Sequence, residues 1–144
     1  MKTLWTDGSA SPNPGPGGYA VIMDGKPIAL GREDNTTNIR MEAMALISAY
    51  EFTKEAENLT ERFQINTDSE FWVNVITKWA GTWKANGWKK KTGEIKNLDL
   101  VQTLYGLSSS ATNVELHWIR GHVGTEMNEL ADEWANKARK GATL

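Results

Sequence analysis

The chain has no cysteine among its 144 residues and only two histidines. The absence of cysteine excludes a disulfide framework and thiolate chemistry. His117 and His122 have no partner at metal-ligand spacing in the sequence, which argues against a zinc site. No apolar run approaches the length of a membrane span, and the amino terminus reaches a charge too early for a secretory signal. We therefore expect a soluble, cytoplasmic protein.

Acidic and basic residues nearly balance overall but are unevenly distributed. The net charge of −2 argues against a wholly basic nucleic-acid binder. Between Lys84 and Lys96 there are five lysines and one acid, so this segment carries +4 and the remainder −6. This asymmetry predicts a localised anion-binding patch on an acidic protein. Since no repeat or linker divides the chain, we expect residues 1–144 to form one domain.

Hydrophobic periodicity and turn signals predict five strands and several helices. The strands are predicted at residues 2–6, 19–23, 27 to about 33, 62–67 and 114–119. The helices are predicted at residues 39 to about 58, 70–79, 97–107 and 128–139, with a short helix and a loop between 80 and 96. The Pro/Gly-rich stretch after Asp7 is predicted as a loop, and Ser108-Ser109-Ser110 as the break that ends a helix.

The connections between these elements predict the sheet topology. Short turns link the first three strands, which should therefore be antiparallel. Helical crossovers link the later strands, so the first, fourth and fifth should be parallel. We expect an α/β fold with a mixed five-stranded sheet and helices on both faces.

Four acidic residues are placed where they can converge. Asp7 and Asp68 each follow a threonine at the predicted carboxyl end of a parallel strand. Glu42 falls in the first turn of the predicted long helix and Asp132 in the early turns of the last helix. An acid near a helix N-terminus is also favoured by ~0.3–1 kcal/mol through the helix dipole, so these two could serve their helices alone. Converging carboxylates would repel, by roughly 4 kcal/mol for a pair 4 Å apart at an effective dielectric of 20, unless cations relieve them.

An all-oxygen ligand set of this kind suits Mg²⁺ or Mn²⁺. Two such ions about 4 Å apart activate a water and stabilise the leaving oxygen of a phosphodiester. The carboxylates therefore predict phosphodiester hydrolysis by a two-metal-ion mechanism.

An ordered series of motifs around these acids resembles bacterial-type ribonuclease H, type 1, a family that cuts the RNA strand of RNA–DNA hybrids. The series runs from residue 4 to about residue 140. Its pieces are Thr6-Asp7-Gly8-Ser9, residues 13–19, Thr36-Thr37-Asn38, Arg40-Met41-Glu42, Thr67-Asp68-Ser69, Gly121-His122-Val123-Gly124, Asn128-Glu129 and Ala131-Asp132. The resemblance implies a monomeric endonuclease that uses two Mg²⁺ ions, or Mn²⁺ as a substitute, and leaves 5′-phosphate and 3′-hydroxyl ends.

The resemblance also implies catalytic roles by position. Asp7, Glu42, Asp68 and Asp132 correspond to the metal-binding carboxylates, and Glu42 also to a contact with a 2′-hydroxyl beside the cut. His122 corresponds to a histidine that assists proton transfer or product departure.

Substrate contacts follow from the same resemblance. Asn13 and Asn38 correspond to asparagines that read the shallow groove, where the 2′-hydroxyl distinguishes RNA from DNA. Thr37 and Asn97 match positions that hold a phosphate of the DNA strand in some relatives. Ile39 and Asn35 depart from the family pattern, where relatives have an amide and an arginine, which predicts a missing groove contact and a weaker phosphate pocket. Glu70 adds an acid near Asp68 that should modulate metal affinity.

The stretch of residues 79–91 is similar to the family's basic protrusion. Lysines there would neutralise phosphates and indoles would offer apolar faces to DNA sugars. Alternatively, its tryptophans are core and its lysines a solvated face. The candidate contacts are Trp79, Trp83, Lys84 and Lys89, and the tryptophans expected in the core are Trp5, Trp72, Trp118 and Trp134.

Other functions fit parts of the pattern. Four intact carboxylates argue against a module that only binds hybrids. An actin-like nucleotide binder would share this kind of sheet, but the chain lacks a Gly-Lys-Ser/Thr loop. A related polynucleotidyl transferase is the nearer alternative, and the asparagines and the basic stretch favour the ribonuclease over it.

Overall fold

Five strands form one mixed sheet in the computed structural model, which describes residues 1–56, 60–91, 93–120 and 126–144. They are β1 (Lys2–Ala10), β2 (Gly15–Met23), β3 (Lys26–Thr36), β4 (Phe63–Thr67) and β5 (Val114–Trp118), in the order β3-β2-β1-β4-β5. Pairing is antiparallel from β1 to β2 and from β2 to β3, and parallel from β1 to β4 and from β4 to β5. The predicted fold class and strand directions are confirmed.

The helices are α1 (Asn38–Glu55), α2 (Glu70–Asn74), α3 (Ala80–Ala85), α4 (Leu98–Ser110) and α5 (Glu126–Arg139), and a π-helical turn at Val75–Trp79 joins α2 to α3. None of these described helices is long and apolar enough to cross a membrane. The predicted end of the long helix near residue 58 falls outside the described residues. The prediction that Ser108-Ser109-Ser110 breaks a helix is wrong, because α4 includes all three. The Ser108 and Ser110 hydroxyls bond back to carbonyls of the preceding turn, which keeps them compatible with helix.

The first two strands are longer than predicted. β1 continues beyond Asp7 to Ala10 and β2 begins at Gly15, so only four residues of the expected Pro/Gly loop lie outside strands. Glycines carry no hydrophobic pattern to reveal a strand, but their backbones pair, as Gly17 does with Ala10. The predicted turn at Asp24-Gly25 is present, and both residues have the positive φ that tight hairpin turns need.

Helices cover both faces of the sheet. On one face, a cluster of buried side chains from β1, β4, α1 and α4 forms the main core; it includes Leu4, Leu46, Ile65 and Leu104. On the other face, α5 packs so closely that a Cβ added at Gly18 would lie 2.5 Å from the carbonyl oxygen of Ala135. This two-sided packing places α1 and α5 on opposite sides of β1.

The four tryptophans expected in the core behave differently. Trp72 is fully buried, while Trp5 and Trp134 are half-buried. The prediction for Trp118 is wrong, since its side chain is 47% exposed on the edge strand β5. Its indole N–H donates to the carbonyl of Asp68 at 3.2 Å, so Trp118 covers the end of β4 from outside.

The Trp72 indole ties α2 to the first turn of α1, because its N–H donates to the carbonyl of Ile39 at 2.8 Å. We expect Trp72→Phe to lower the free energy of unfolding by about 2–4 kcal/mol, because it removes this partly buried hydrogen bond and leaves a small cavity behind. Urea unfolding would measure this. Trp134→Phe, at a half-buried position, is the matched control and should cost under about 1 kcal/mol; equal losses in the two variants would contradict the prediction.

Candidate active site

Asp7 and Asp68 meet where the pairing of two parallel strands stops. The last paired residues of β1 and β4 are Thr6 and Thr67, and the two aspartates follow them directly. The Thr6 hydroxyl donates to the Asn66 carbonyl at 3.1 Å, which fixes this end of the ladder. Asp7 itself is only 7% exposed, and its Oδ1 accepts from the Gly8 N–H at 2.9 Å.

Glu42 reaches the same place because α1 rests directly on β1. A Cβ at Gly8 would lie 2.5 Å from the backbone nitrogen of Glu42 and would overlap the Met41 carbonyl. Only glycine allows this approach. Since α1 begins at Asn38, Glu42 lies beyond the first turn predicted for it. The effect of the helix dipole fades within the first turn, so it is a weaker explanation for the presence of Glu42 at this position.

One carboxylate oxygen from each of Asp7, Glu42 and Asp68 lies within 4.8 Å of the others, a grouping that could hold a metal ion. Asp132 lies on α5, on the opposite side of β1 from α1, and joins the group through a hydrogen bond with Asp7. His122 lies outside the described residues. Glu70 is exposed at the start of α2 and is not among the grouped acids.

Burial and mutual repulsion perturb these acids strongly. Burial raises the pKa of Asp7 to about 9, and the charge of Asp68 and the hydrogen bond with Asp132 add to the rise. Burial and then the charge of Asp68 raise the pKa of Glu42 to about 7, while a hydrogen bond with Ser69 opposes the rise. Protons therefore compensate the crowded carboxylates when no cation does.

A cavity with four polar residues among the six that line it, the polar cavity, lies beside the start of α1. Its volume is about 580 Å³, and it is lined by Asn13, Pro14, Thr37, Ile39, Lys96 and Asn97. The side-chain oxygen of Asn13 accepts from the backbone N–H of Asn38 at 3.1 Å, and the side-chain oxygen of Asn38 accepts from the backbone N–H of Ala10 at 2.6 Å. The structure thus brings three of the predicted substrate-contacting residues, Asn13, Thr37 and Asn97, together around this cavity. A fourth, Asn38, is hydrogen-bonded to Asn13. Asn35 is exposed on β3.

An apolar cavity of about 220 Å³ adjoins the polar one and shares Ile39, Lys96 and Asn97 with it. Phe71, Trp79 and Trp83 line it together with Lys90, and Phe71 and Trp79 are each 40% exposed. Trp83 also packs partly against the core, so this indole has both a core contact and a place in the cavity lining, the two roles considered from the sequence.

The predicted lysines lie outside the lining of this cavity. Lys84 sits over the Tyr105 ring, with its Nζ 5.7 Å from the ring centroid, and Lys89 is exposed. Lys90 and Lys96 line the cavity instead. The sequence predicted the basic segment but could not show which of its lysines line the cavity. Phe71 was missed because its helical spacing is that of a core residue.

Comparison with known proteins identifies related sequences. The family model described as RNase H matches residues 1–140. A protein named Ribonuclease H from Methylorubrum extorquens is 40% identical over 99% of this chain, and the chain spans 62% of that protein's length. A protein of the same name from Francisella philomiragia is 44% identical, over 93% of this chain and 88% of that protein.

Solved structures share the fold. LC9-RNase H1, a type 1 RNase H with the type 2 active-site motif, is 30% identical with a TM-score of 0.79, over 99% of this chain and 73% of that chain. LC11-RNase H1, solved in complex with an RNA/DNA hybrid, has a TM-score of 0.70 over 97% of each chain. At 24% identity, this second likeness concerns the fold alone.

Gly8→Ala should push α1 off β1. We expect it to lower the free energy of unfolding by about 3 kcal/mol, near the upper end for an overpacked site, and to weaken Mn²⁺ binding as Glu42 moves away. Thermal unfolding and calorimetric titration would measure the two effects. In Gly106→Ala, the control, the added methyl meets open space on α4 and should raise stability by up to about 1 kcal/mol. Unchanged stability and Mn²⁺ affinity in Gly8→Ala would contradict the proposed role of this contact.

The raised pKa values predict a stability that depends on pH in the metal-free protein. Above about pH 4 the folded protein holds protons that the unfolded chain has lost, on Glu42 up to about pH 7 and on Asp7 up to about pH 9, so these groups make stability fall as pH rises through those ranges. Asp7→Asn should flatten the decline in Tm up to about pH 9, whereas Asp24→Asn, in the exposed hairpin turn, should leave it unchanged. Parallel profiles for wild type and Asp7→Asn would show that Asp7 ionises normally.

Proposed function

The chain belongs to the ribonuclease H family of endoribonucleases, and we propose that it hydrolyses the RNA strand of RNA–DNA hybrids, leaving 5′-phosphate and 3′-hydroxyl ends. The observation that carries this proposal is the convergence of Asp7, Glu42 and Asp68 at one edge of the sheet. Burial and then the charge of Asp68 raise the pKa values of Asp7 and Glu42, and bound divalent cations would relieve the repulsion between these carboxylates.

The donor set fits hard cations. All three grouped ligands are carboxylates, which favours Mg²⁺, with Mn²⁺ as a substitute. We propose that Asp7, Glu42, Asp68 and Asp132 hold two ions when substrate is bound. Such a pair would supply an activated water and charge neutralisation at the leaving oxygen. Asp7 faces Asp68 and Asp132 at once, which supports a central role for it.

The remaining residues around the carboxylates position them. The backbone N–H of Gly8 donates to Asp7. Ser69 forms a hydrogen bond with Glu42, and its hydroxyl oxygen also caps α2 by accepting from the backbone N–H of Trp72. For His122 we propose the role that the family resemblance implies, in proton transfer or product departure.

The asparagine amides favour an RNA–DNA hybrid as the ligand. The carbonyl oxygens of Asn13 and Asn38 are each occupied by a backbone N–H, so both side chains offer NH₂ donors outward. Minor-groove base edges present acceptors, and a 2′-hydroxyl oxygen is an acceptor that only RNA provides. We propose that these amides read the shallow groove of the hybrid.

The apolar cavity suits the DNA strand. Ile39, Phe71 and Trp79 offer an apolar surface to sugars that lack the 2′-hydroxyl, and Lys90 and Lys96 lie beside it for the phosphates. In this proposal Ile39 replaces an amide contact with an apolar one. Trp83 extends the surface, and Lys84 and Lys89 add charge nearby.

We propose that residues 1–144 act as one catalytic domain and as a monomer, since the acids come from one sheet and the helices on its two faces. A cytoplasmic location stays a prediction from the sequence.

The proposal is tested by incubating the purified protein and Mg²⁺ or Mn²⁺ with labelled RNA–DNA, RNA–RNA and DNA–DNA duplexes. We expect cleavage of the RNA in the hybrid only, with products that a polymerase can extend from their 3′ ends. Asp7→Asn should lower the rate by about 10³-fold or more, because several kcal/mol of transition-state stabilisation are lost. Asp24→Asn makes the same chemical change far from the site and should retain full activity.

Two outcomes would overturn this function. One is an intact hybrid with either metal, which would favour a binding module. The other is strand joining of DNA in place of RNA cleavage, which would favour a polynucleotidyl transferase.

A further inference from the structure

Arg40 lies between two of the donors that line the polar cavity. Its backbone N–H donates to the Thr37 hydroxyl oxygen at 3.2 Å, which caps α1. Its guanidinium donates to the Asn97 side-chain oxygen at 3.1 Å, across 57 residues of sequence. One residue therefore contacts both Thr37 and Asn97, which the cavity brings together from α1 and α4.

These two contacts determine what the cavity can offer a ligand. A hydroxyl whose oxygen already accepts has its hydrogen left to donate, and an amide whose oxygen is occupied presents only its NH₂ group. Thr37 and Asn97 are thereby both set as donors. Two fixed donors with Lys96 beside them suit an anionic oxygen.

Arg40 is itself held in place by an acid. Its Nη1 and Nη2 lie 3.4 and 3.3 Å from the two carboxylate oxygens of Asp99, in the first turn of α4. The hydrogen bond from Arg40 is the main cause that lowers the pKa of Asp99. Asn97 has a left-handed backbone (φ 55°) and its carbonyl accepts the first N–H groups of α4, so its main chain is fixed as well.

We propose that Arg40 is a positioning residue: its guanidinium, held by Asp99, fixes the Asn97 amide as a donor to one phosphate of the DNA strand, beside the Thr37 hydroxyl that the backbone N–H of Arg40 orients. In this proposal Arg40 acts through Asn97, to which its Nη1 donates, while Nη1 and Nη2 also donate to Asp99. This inference rests on the proposed function and on the family resemblance, which already implies a DNA-strand phosphate at Thr37 and Asn97; the role of Arg40 goes beyond both.

The sign of the effect at Asp99 separates this role from direct binding. If Arg40 were a direct phosphate ligand, removing the neighbouring acid would free its charge and strengthen the contact. If Arg40 only positions Asn97, removing Asp99 loosens the amide and weakens the contact. Arg40→Lys keeps the charge but loses the two-pronged fork. It should therefore keep the phosphate contact if Arg40 binds the phosphate directly, and weaken that contact if Arg40 only positions Asn97.

The experiment uses hybrids whose DNA strand carries a single neutral methylphosphonate, moved one linkage at a time. Binding is measured by fluorescence anisotropy in the Asp7→Asn background, where the RNA stays intact. In the Asp7→Asn protein with no second change, we expect one linkage at which the methylphosphonate weakens binding about tenfold, because a charge-assisted contact is lost. In Asp99→Ala, Arg40→Lys and Arg40→Met that penalty should shrink to about twofold or less, while penalties at other linkages persist.

Glu61→Ala is the control, because it removes an acid from another ion pair, with Lys2, and should keep the tenfold penalty. The proposal is overturned if no linkage is sensitive, if the penalty survives in Arg40→Lys and Arg40→Met, or if it grows in Asp99→Ala. A shrunken penalty at every linkage, with a lowered Tm, would indicate general loosening and also overturn it. Cleavage of unmodified hybrid is assayed separately, so failure of the proposed function is recognised by an intact hybrid whatever the penalties show.

Discussion

The close approach of α1 to β1 at Gly8 is the contact on which the rest of the site depends. It allows the helix backbone to rest on the strand, and it sets the distance from Glu42 to Asp7 and Asp68. The same first turns of α1 carry Thr37, Asn38 and Arg40, so one helix end supplies both a grouped acid and the groups proposed to recognise substrate. An error in this one contact would displace chemistry and recognition together.

The packing that holds this contact also maintains an unfavourable cluster of charge. Burial and the neighbouring carboxylate both raise the pKa of Asp7, and a fold without a strong core would relieve this by moving the strands apart. Leu4, Leu46 and Ile65 are fully buried on the α1 side of the sheet and resist that movement. Protons and cations then compete for the same oxygens, which couples metal affinity to pH.

Sequence reasoning succeeded where a rule links chain order to space. Helical crossovers imply parallel strands, which was enough to place Asp7 beside Asp68. The helix positions made Glu42 and Asp132 candidates for the same cluster, and the resemblance strengthened them. It failed where local pattern is silent or tertiary contacts decide. The glycines of β2 hid the beginning of that strand, the exposure of Trp118 follows from its place on an edge strand, and the Arg40 to Asn97 contact joins helices far apart in the sequence. Such contacts depend on how α1 and α4 pack, which periodicity does not encode.

The separation of charge along the chain follows from the opposing needs of the proposed chemistry and of binding. A cluster of acids repels a phosphate backbone, so a site built from carboxylates needs affinity supplied elsewhere. In the proposed function the lysine-rich segment supplies this affinity, with Lys90 and Lys96 beside the apolar cavity. Were those lysines among the carboxylates, they would neutralise the acids and compete with the cations. A net charge near zero with its two signs kept apart is therefore what a metal-dependent enzyme acting on a polyanion requires.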